Sequence, residues 1–117
     1  MKPTPPTPKE LVYKPDEFRL NPGQTLTINS STLIIHRGLF KLERRDGSLV
    51  GKIATSKRNA FVVFRRDGNL YLVDPRPSAI VWSSTSITQG QGKKLVVKEN
   101  SLIIYGPGNR VLFELKK

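Results

Sequence analysis

The sequence predicts an all-β protein of three antiparallel sheets set around a pseudo-threefold axis. Three observations lead there. Short β-branched and aromatic runs follow one another from Phe18 onward, with turn residues between them at close spacing. No stretch keeps a 3.6-residue apolar period long enough for a helix. One hairpin segment also recurs: Leu42-Glu43-Arg44-Arg45-Asp46-Gly47-Ser48-Leu49-Val50 matches Val63-Phe64-Arg65-Arg66-Asp67-Gly68-Asn69-Leu70-Tyr71. Val97 to Tyr105 is a weaker third copy. Its acid, Glu99, lies 32 residues after Asp67, which lies 21 after Asp46 (99 − 67 and 67 − 46). Each unit is expected to turn a leucine face toward the other two. The shorter first unit lacks a counterpart of the Ala79–Ser83 strand with its tryptophan.

Taken in order, residues 1–16 read as a flexible Pro-rich tail and residues 17–117 as a single domain. Met1 to Lys9 has no apolar anchor and four prolines, which favours extended polyproline-like chain. Glu10 to Arg19 is transitional, with Leu11, Val12, Tyr13 and Phe18 able to cross the domain or cover a sheet edge. Strands are expected at Gln24–Ile28, Thr32–His36, Leu39–Arg44, Ser48–Ile53, Phe61–Arg66, Asn69–Val73, Ala79–Ser83, Lys94–Lys98, Leu102–Tyr105 and Val111–Leu115. Asp46-Gly47, Asp67-Gly68, Pro75-Arg76-Pro77, Glu99-Asn100 and the glycine clusters near 90 and 107 punctuate them.

The best-defined hairpin spans Phe61 to Asp74. Asp-Gly between apolar runs suggests a type I′ turn, which needs positive φ at both central residues. Beyond it Leu70 and Leu72 take one face, and Asn69, Tyr71 and Val73 the other. A polar and aromatic row therefore starts beside the Asp67 carboxylate.

Composition narrows the chemistry. Twenty Lys and Arg against nine Asp and Glu give a formal charge of +11, which attracts anionic partners of any class. The chain has no cysteine, so neither disulfides nor thiolate metal sites are available, and a reducing, cytoplasmic setting is permitted. No signal-like or membrane-spanning apolar run is visible. His36 is the single histidine, and its alternating apolar strand suggests a structural role. No glycine-rich phosphate loop is present, and acids on three separate sheets make a glycosidase-like pair a poor expectation. Neither an enzyme nor a bound cofactor or metal is expected.

The repeats resemble those of the bulb-type, mannose-binding lectin family. The family motif runs Gln-x-Asp-x-Asn-x-Val-x-Tyr, followed by a strand with an Ile-Trp-Ala/Ser-like segment. The second unit offers Arg65, Asp67, Asn69, Tyr71 and Val73 at those positions, then Ile80-Val81-Trp82-Ser83. The first unit offers Arg44, Asp46, Ser48, Val50 and Lys52, and the third Val97, Glu99, Ser101, Ile103 and Tyr105. Asn21-Pro22-Gly23-Gln24-Thr25-Leu26 is similar to the Gly-Gln/Glu-x-Leu opening of the same domain. The resemblance implies a β-prism II over about residues 17–117, with Trp82 in the core. It also implies a mannose-containing glycan as partner and a C-terminal strand, Val111–Leu115, that two chains can exchange in a homodimer.

The sugar chemistry implied by that motif is altered in every copy. Asp67 and Asn69 survive to meet an axial 2-hydroxyl, and Arg65 can donate where Gln did but cannot accept. Val73 cannot replace the tyrosine hydroxyl, and one missing partner for a buried hydroxyl costs about 1–3 kcal/mol. A millimolar monosaccharide site is worth only about 4 kcal/mol in all. Arg65, Asp67, Asn69, Tyr71 and Val73 are therefore the expected sugar site. Arg44, Asp46, Ser48 and Val50, and Glu99, Ser101, Ile103 and Tyr105, are weaker secondary sites. The alternative is a basic interaction module with inactive sugar sites. Its paired arginines (Arg44-Arg45, Arg65-Arg66) would serve an acidic glycan, a lipid or membrane surface, a nucleic acid or another anionic polymer, or a protein.

Overall fold

A computed structural model describes residues 10–75 and 78–116. Residues 1–9 of the tail expected over 1–16 lie outside these residues, as do Arg76, Pro77 and Lys117. The described chain forms three four-stranded sheets in which every paired strand is antiparallel. The first sheet is a meander of β3 (Thr25–Ile28), β4 (Ser31–His36), β5 (Leu39–Arg44) and β6 (Leu49–Ala54). In the second, β2 (Phe18–Leu20) precedes β7 (Phe61–Phe64), β8 (Leu70–Pro75) and β9 (Ser78–Ser83). In the third, β1 (Glu10–Tyr13) precedes β10 (Lys94–Lys98), β11 (Ser101–Tyr105) and β12 (Val111–Glu114). One helical turn, α1 (Thr85–Thr88), follows β9.

Alternation decides what each strand buries. Leu33 and Ile35, Phe40 and Leu42, Val62 and Phe64, Leu70 and Leu72, Leu95 and Val97, and Leu102 and Ile104 all point inward to one shared core. β1 and β2 carry the chain from the third sheet to the second, and the rings of Tyr13 and Phe18 meet 5.0 Å apart at that crossing. Glu10–Tyr13 lies on the tail side of the boundary expected at residue 17, yet it pairs along its whole length with β10. Both strands are too short for their alternation to stand out between prolines.

The first unit has no strand after β6, as its shorter repeat implies; β6 is an edge, and β3 completes the sheet on the far side. The inward partner of Leu42 on β6 is Gly51, where the other sheets pair Val62 with Leu72 and Leu95 with Ile104. Leu115 fills the gap. A Cβ on Gly51 would stand 2.7 Å from the Leu115 backbone and side chain, and the Lys52 amide donates to the Lys116 carbonyl at 2.9 Å. A register shift at Leu42/Glu43 also rotates the strand, so Val50 packs against the core and Leu49 is only half-buried. The leucine row expected there does not form.

Trp82 is half-buried beside the core, its ring 5.6 Å from Phe113 of β12, rather than on the axis. It lies at the seam between the second and third sheets. His36 is exposed at the end of β4, on the rim of a 440 Å³ groove with Arg37 and Arg58, and not in a structural interior.

Candidate functional site

The two Asp-Gly turns are alike, and neither is type I′. The Gly68 amide donates to the Arg65 carbonyl at 2.9 Å, and the Arg65 amide to the Asn69 carbonyl at 3.0 Å. Gly47, Arg44 and Ser48 repeat the pattern. Positive φ falls on Gly68 (79°) and Gly47 (88°) and not on either aspartate. This is a three-residue loop, a type I turn closed by a left-handed glycine. It leaves each aspartate free to turn its carboxylate back on the chain. Asp67 accepts the Asn69 amide at 3.0 Å, and Asp46 accepts the Ser48 amide at 2.9 Å.

The third unit departs. Lys98 pairs directly with Ser101, leaving a two-residue loop at Glu99-Asn100. With one loop residue fewer, Lys98 takes the place that Arg65 holds opposite Asn69, and Val97 is core like Phe64. A gapless sequence alignment slips by one residue here.

In the second unit the row closes on itself. The Tyr71 hydroxyl donates to the Asp67 carboxylate and accepts the Asn69 side-chain amide at 3.3 Å. The other end of that amide, Oδ1, receives the Thr88 hydroxyl and the Gly90 backbone amide at 3.4 Å. Thr88 also lies within reach of the Ser84 carbonyl and hydroxyl, at 2.9 and 3.2 Å, and Ser84 Oγ accepts the Leu70 amide at 2.9 Å. Asn69, Tyr71 and Val73 are all buried, whereas Arg65, Arg66 and Asp67 are exposed. The segment from Ser84 to Gly92 forms the lid, and a Cβ on Gly68 would collide with the Gly92 carbonyl. No described buried side-chain nitrogen or oxygen lacks a partner.

What stays open lies beside the row. Asp16, Arg19, Phe61, Val63, Arg65, Arg66 and Asp67 line a groove of 520 Å³ on the outer face of β2 and β7. The Arg19 guanidinium lies 4.0 Å from the centre of the Phe61 ring, and Arg65 lies 5.1 Å from that of Tyr71. Arg66 pairs with Asp16 at 3.0 Å. Sequence reasoning missed Asp16, Arg19 and Phe61, which only the β2–β7 pairing brings together. It also missed Ser84 and Thr88, whose one hint is a run of hydroxyl residues after Trp82.

The secondary sites are dispersed. Asp46 is exposed; the Ser48 hydroxyl (2.7 Å) and then the Ser48 amide hold its carboxyl below the ordinary value. Arg44 reaches Ser48 at 3.3 Å and Asn100 of the third sheet at 2.9 Å. Arg44 and Arg45 border a 700 Å³ groove with Thr27, Thr32 and Glu43, which has no aromatic lining. Glu99 accepts the Ser30 hydroxyl, so it ties the third sheet to the first. Ile103 is buried, while Ser101 and Tyr105 are half-buried, with Lys94 5.2 Å from the Tyr105 ring centre. Among the described residues no cluster of His, Cys, Asp or Glu is arranged to hold a metal. No helix there is long and apolar enough to cross a membrane.

The sequence matches no protein-family model and no curated protein. Its structure matches solved lectins. A Marasmius oreades lectin aligns with TM-score 0.68 at 19% identity, over 88% of this chain and 87% of that one. Monomeric monocot mannose-binding lectins from Gastrodia elata align with TM-score 0.67 at 18%, over 92% and 96%. The mannose-specific agglutinin of snowdrop (Galanthus nivalis) bulbs, solved with methyl-α-D-mannoside, aligns with TM-score 0.65 at 25%, over 85% and 90%. Three antiparallel four-stranded sheets around one core, with degenerate copies of a single hairpin motif, give this chain the β-prism II fold of the bulb-type mannose-binding lectins.

Proposed function

We propose that this chain is a non-catalytic glycan-binding protein that recognises mannose-type glycans through one altered site on the second sheet. The observation that supports it is the placement of Arg65 and Asp67. Of the three motif copies, the second keeps its acid and its base exposed on a groove with an aromatic and apolar floor. In this reading Asp67 and Arg65 meet sugar hydroxyls, Val63 lies under the sugar ring, and Asn69 and Tyr71 fix the carboxylate from beneath. Val73 packs under the site. The test is a glycan array at about 0.15 M salt, where loose charge contacts are screened, followed by competition with methyl-mannoside. Asp67→Ala, confirmed as folded by its thermal melt, is expected to lose the signal; binding that survives it removes this site.

A second reading is favoured by the closed network itself. Tyr71 already occupies Asp67 and Asn69, so a sugar hydroxyl has fewer partners to gain. A basic module with inactive sugar sites would then bind an acidic partner through its +11 charge. Its binding would fall steeply between low and moderate salt, and a salt-insensitive interaction would dismiss it. Strand exchange belongs to the proposal too. β12 pairs with β11 within the chain, and exchange would make the same pairing between two chains. Light scattering decides: twice the chain mass supports exchange, and a monomer removes it.

A further inference from the structure

The groove beside the closed row carries an inference that deepens, and rests on, the glycan-binding reading. We infer that its preferred ligand is an acidic sugar, a pyranose bearing a carboxylate, held over Val63 between Arg65 and the Arg19 fork that rests on Phe61. Arg19 and Arg65 are both exposed, and neither forms an ion pair with any described residue. Their neighbour Arg66 is already matched by Asp16, so the positive charge open to a ligand is that of these two, with Asp67 the remaining acid of the groove.

Both guanidiniums are held in place. Arg19 lies against the Phe61 ring and spends its Nε on Asn21 Oδ1 at 2.9 Å, which leaves its two terminal nitrogens for a ligand. Arg65 lies against Tyr71, whose hydroxyl is fixed by Asp67. A planar fork resting on a ring loses little freedom on binding, and its paired N–H groups match the two oxygens of a carboxylate. Arg19 stands opposite Val63 in the strand register, and Arg65 lies two residues further along the same face. The two forks therefore flank Val63, an apolar side chain fit for the C–H face of a pyranose. Asp67 closes the turn end of the groove, where it can accept sugar hydroxyls and exclude the acid group by repulsion. That polarity fixes the direction in which the sugar lies.

The first sheet supplies the contrast. Its groove also holds two arginines, but Arg44 is tied to Asn100 and Ser48, and no ring lines it. Net charge alone would make the two grooves equivalent; the geometry does not.

Calorimetric titration of the intact chain at about 0.15 M salt with methyl glucuronide and with uncharged methyl glucoside tests the inference. The glucuronide is expected to bind at least tenfold more tightly. Arg19→Gln or Arg65→Gln is expected to remove at least tenfold of that affinity, and Arg45→Gln on the first sheet to change it less than twofold. All three positions are exposed, and a thermal melt within a few degrees of the parent confirms the fold. Equal binding of the two glycosides overturns the acidic preference while glycan binding stands. An equal loss on Arg45→Gln also overturns it, since diffuse charge then explains the affinity. If neither glycoside nor any mannoside on the array binds, both readings fail.

Discussion

The hydroxyl of Tyr71 meets the two groups, the Asp67 carboxylate and the Asn69 amide, that a sugar hydroxyl would otherwise seek. The lectin motif has a small valine at this position. Tyr71→Val should release both groups, cost about 1–3 kcal/mol through the unpaired buried amide, and raise methyl-mannoside affinity in a titration. Unchanged affinity would show that Tyr71 does not obstruct the site. Thr88→Val tests the other end of the network, since it removes the hydroxyl from buried Asn69 Oδ1; a loss of about 1–3 kcal/mol in denaturant unfolding is expected. Acid dependence belongs to Asp46. Its carboxyl is held low by Ser48, so it contributes stability above its unfolded value, near pH 4, and that contribution is lost as pH falls through the lower folded value. Asp46→Asn should therefore narrow the gap in melting temperature between neutral and strongly acid solution. The members of the second-unit row were legible in the sequence from the hairpin alternation alone. Their burial was not, because the segment that covers them has no apolar period and docks through glycine and hydroxyl groups.

At the scale of the element, the two matched turns form a natural control. Gly47 and Gly68 share a left-handed conformation, but a Cβ on Gly47 meets nothing within 4 Å, whereas one on Gly68 meets the Gly92 backbone. Gly47→Ala should cost about 1–2 kcal/mol, the strain of left-handed backbone alone. Gly68→Ala should cost clearly more, with faster amide exchange across Ser84 to Gly92 as the lid lifts. Equal costs would mean that the close approach does not hold the lid. Ten strands were legible to within a residue or two from their alternation and turn residues. The type of turn was not. Asp-Gly suits both a two-residue and a three-residue loop, and the choice is made by which register buries Phe64 against Leu70. A true type I′ turn occurs instead at Arg37-Gly38, where both φ values are positive and His36 pairs with Leu39.

For the whole molecule, the seam between the first and third sheets is the point of leverage. Leu115 is buried in the hollow left by Gly51, although it lies beyond the last strand. Leu115→Ala should cost about 2–5 kcal/mol in denaturant unfolding, as for any fully buried leucine. Gly51→Leu restores the side chain that the other sheets carry, and is expected to displace the C-terminal residues and expose them to protease. Neither residue signals this from sequence. A glycine in a strand suggests a bulge or a close approach, and nothing local tells which partner approaches.

That junction also orders events in time. Gly51 leaves the ribosome 64 residues before Leu115 (115 − 51), so the first sheet emerges with a hole in its interior that nothing yet made can fill. Until Leu115 clears the exit tunnel, the nascent chain exposes the edge of β6 and an unfilled apolar cavity, a surface suited to a chaperone. Synthesis from the amino end thus postpones closure of the earliest sheet until the strands of the other two have been made.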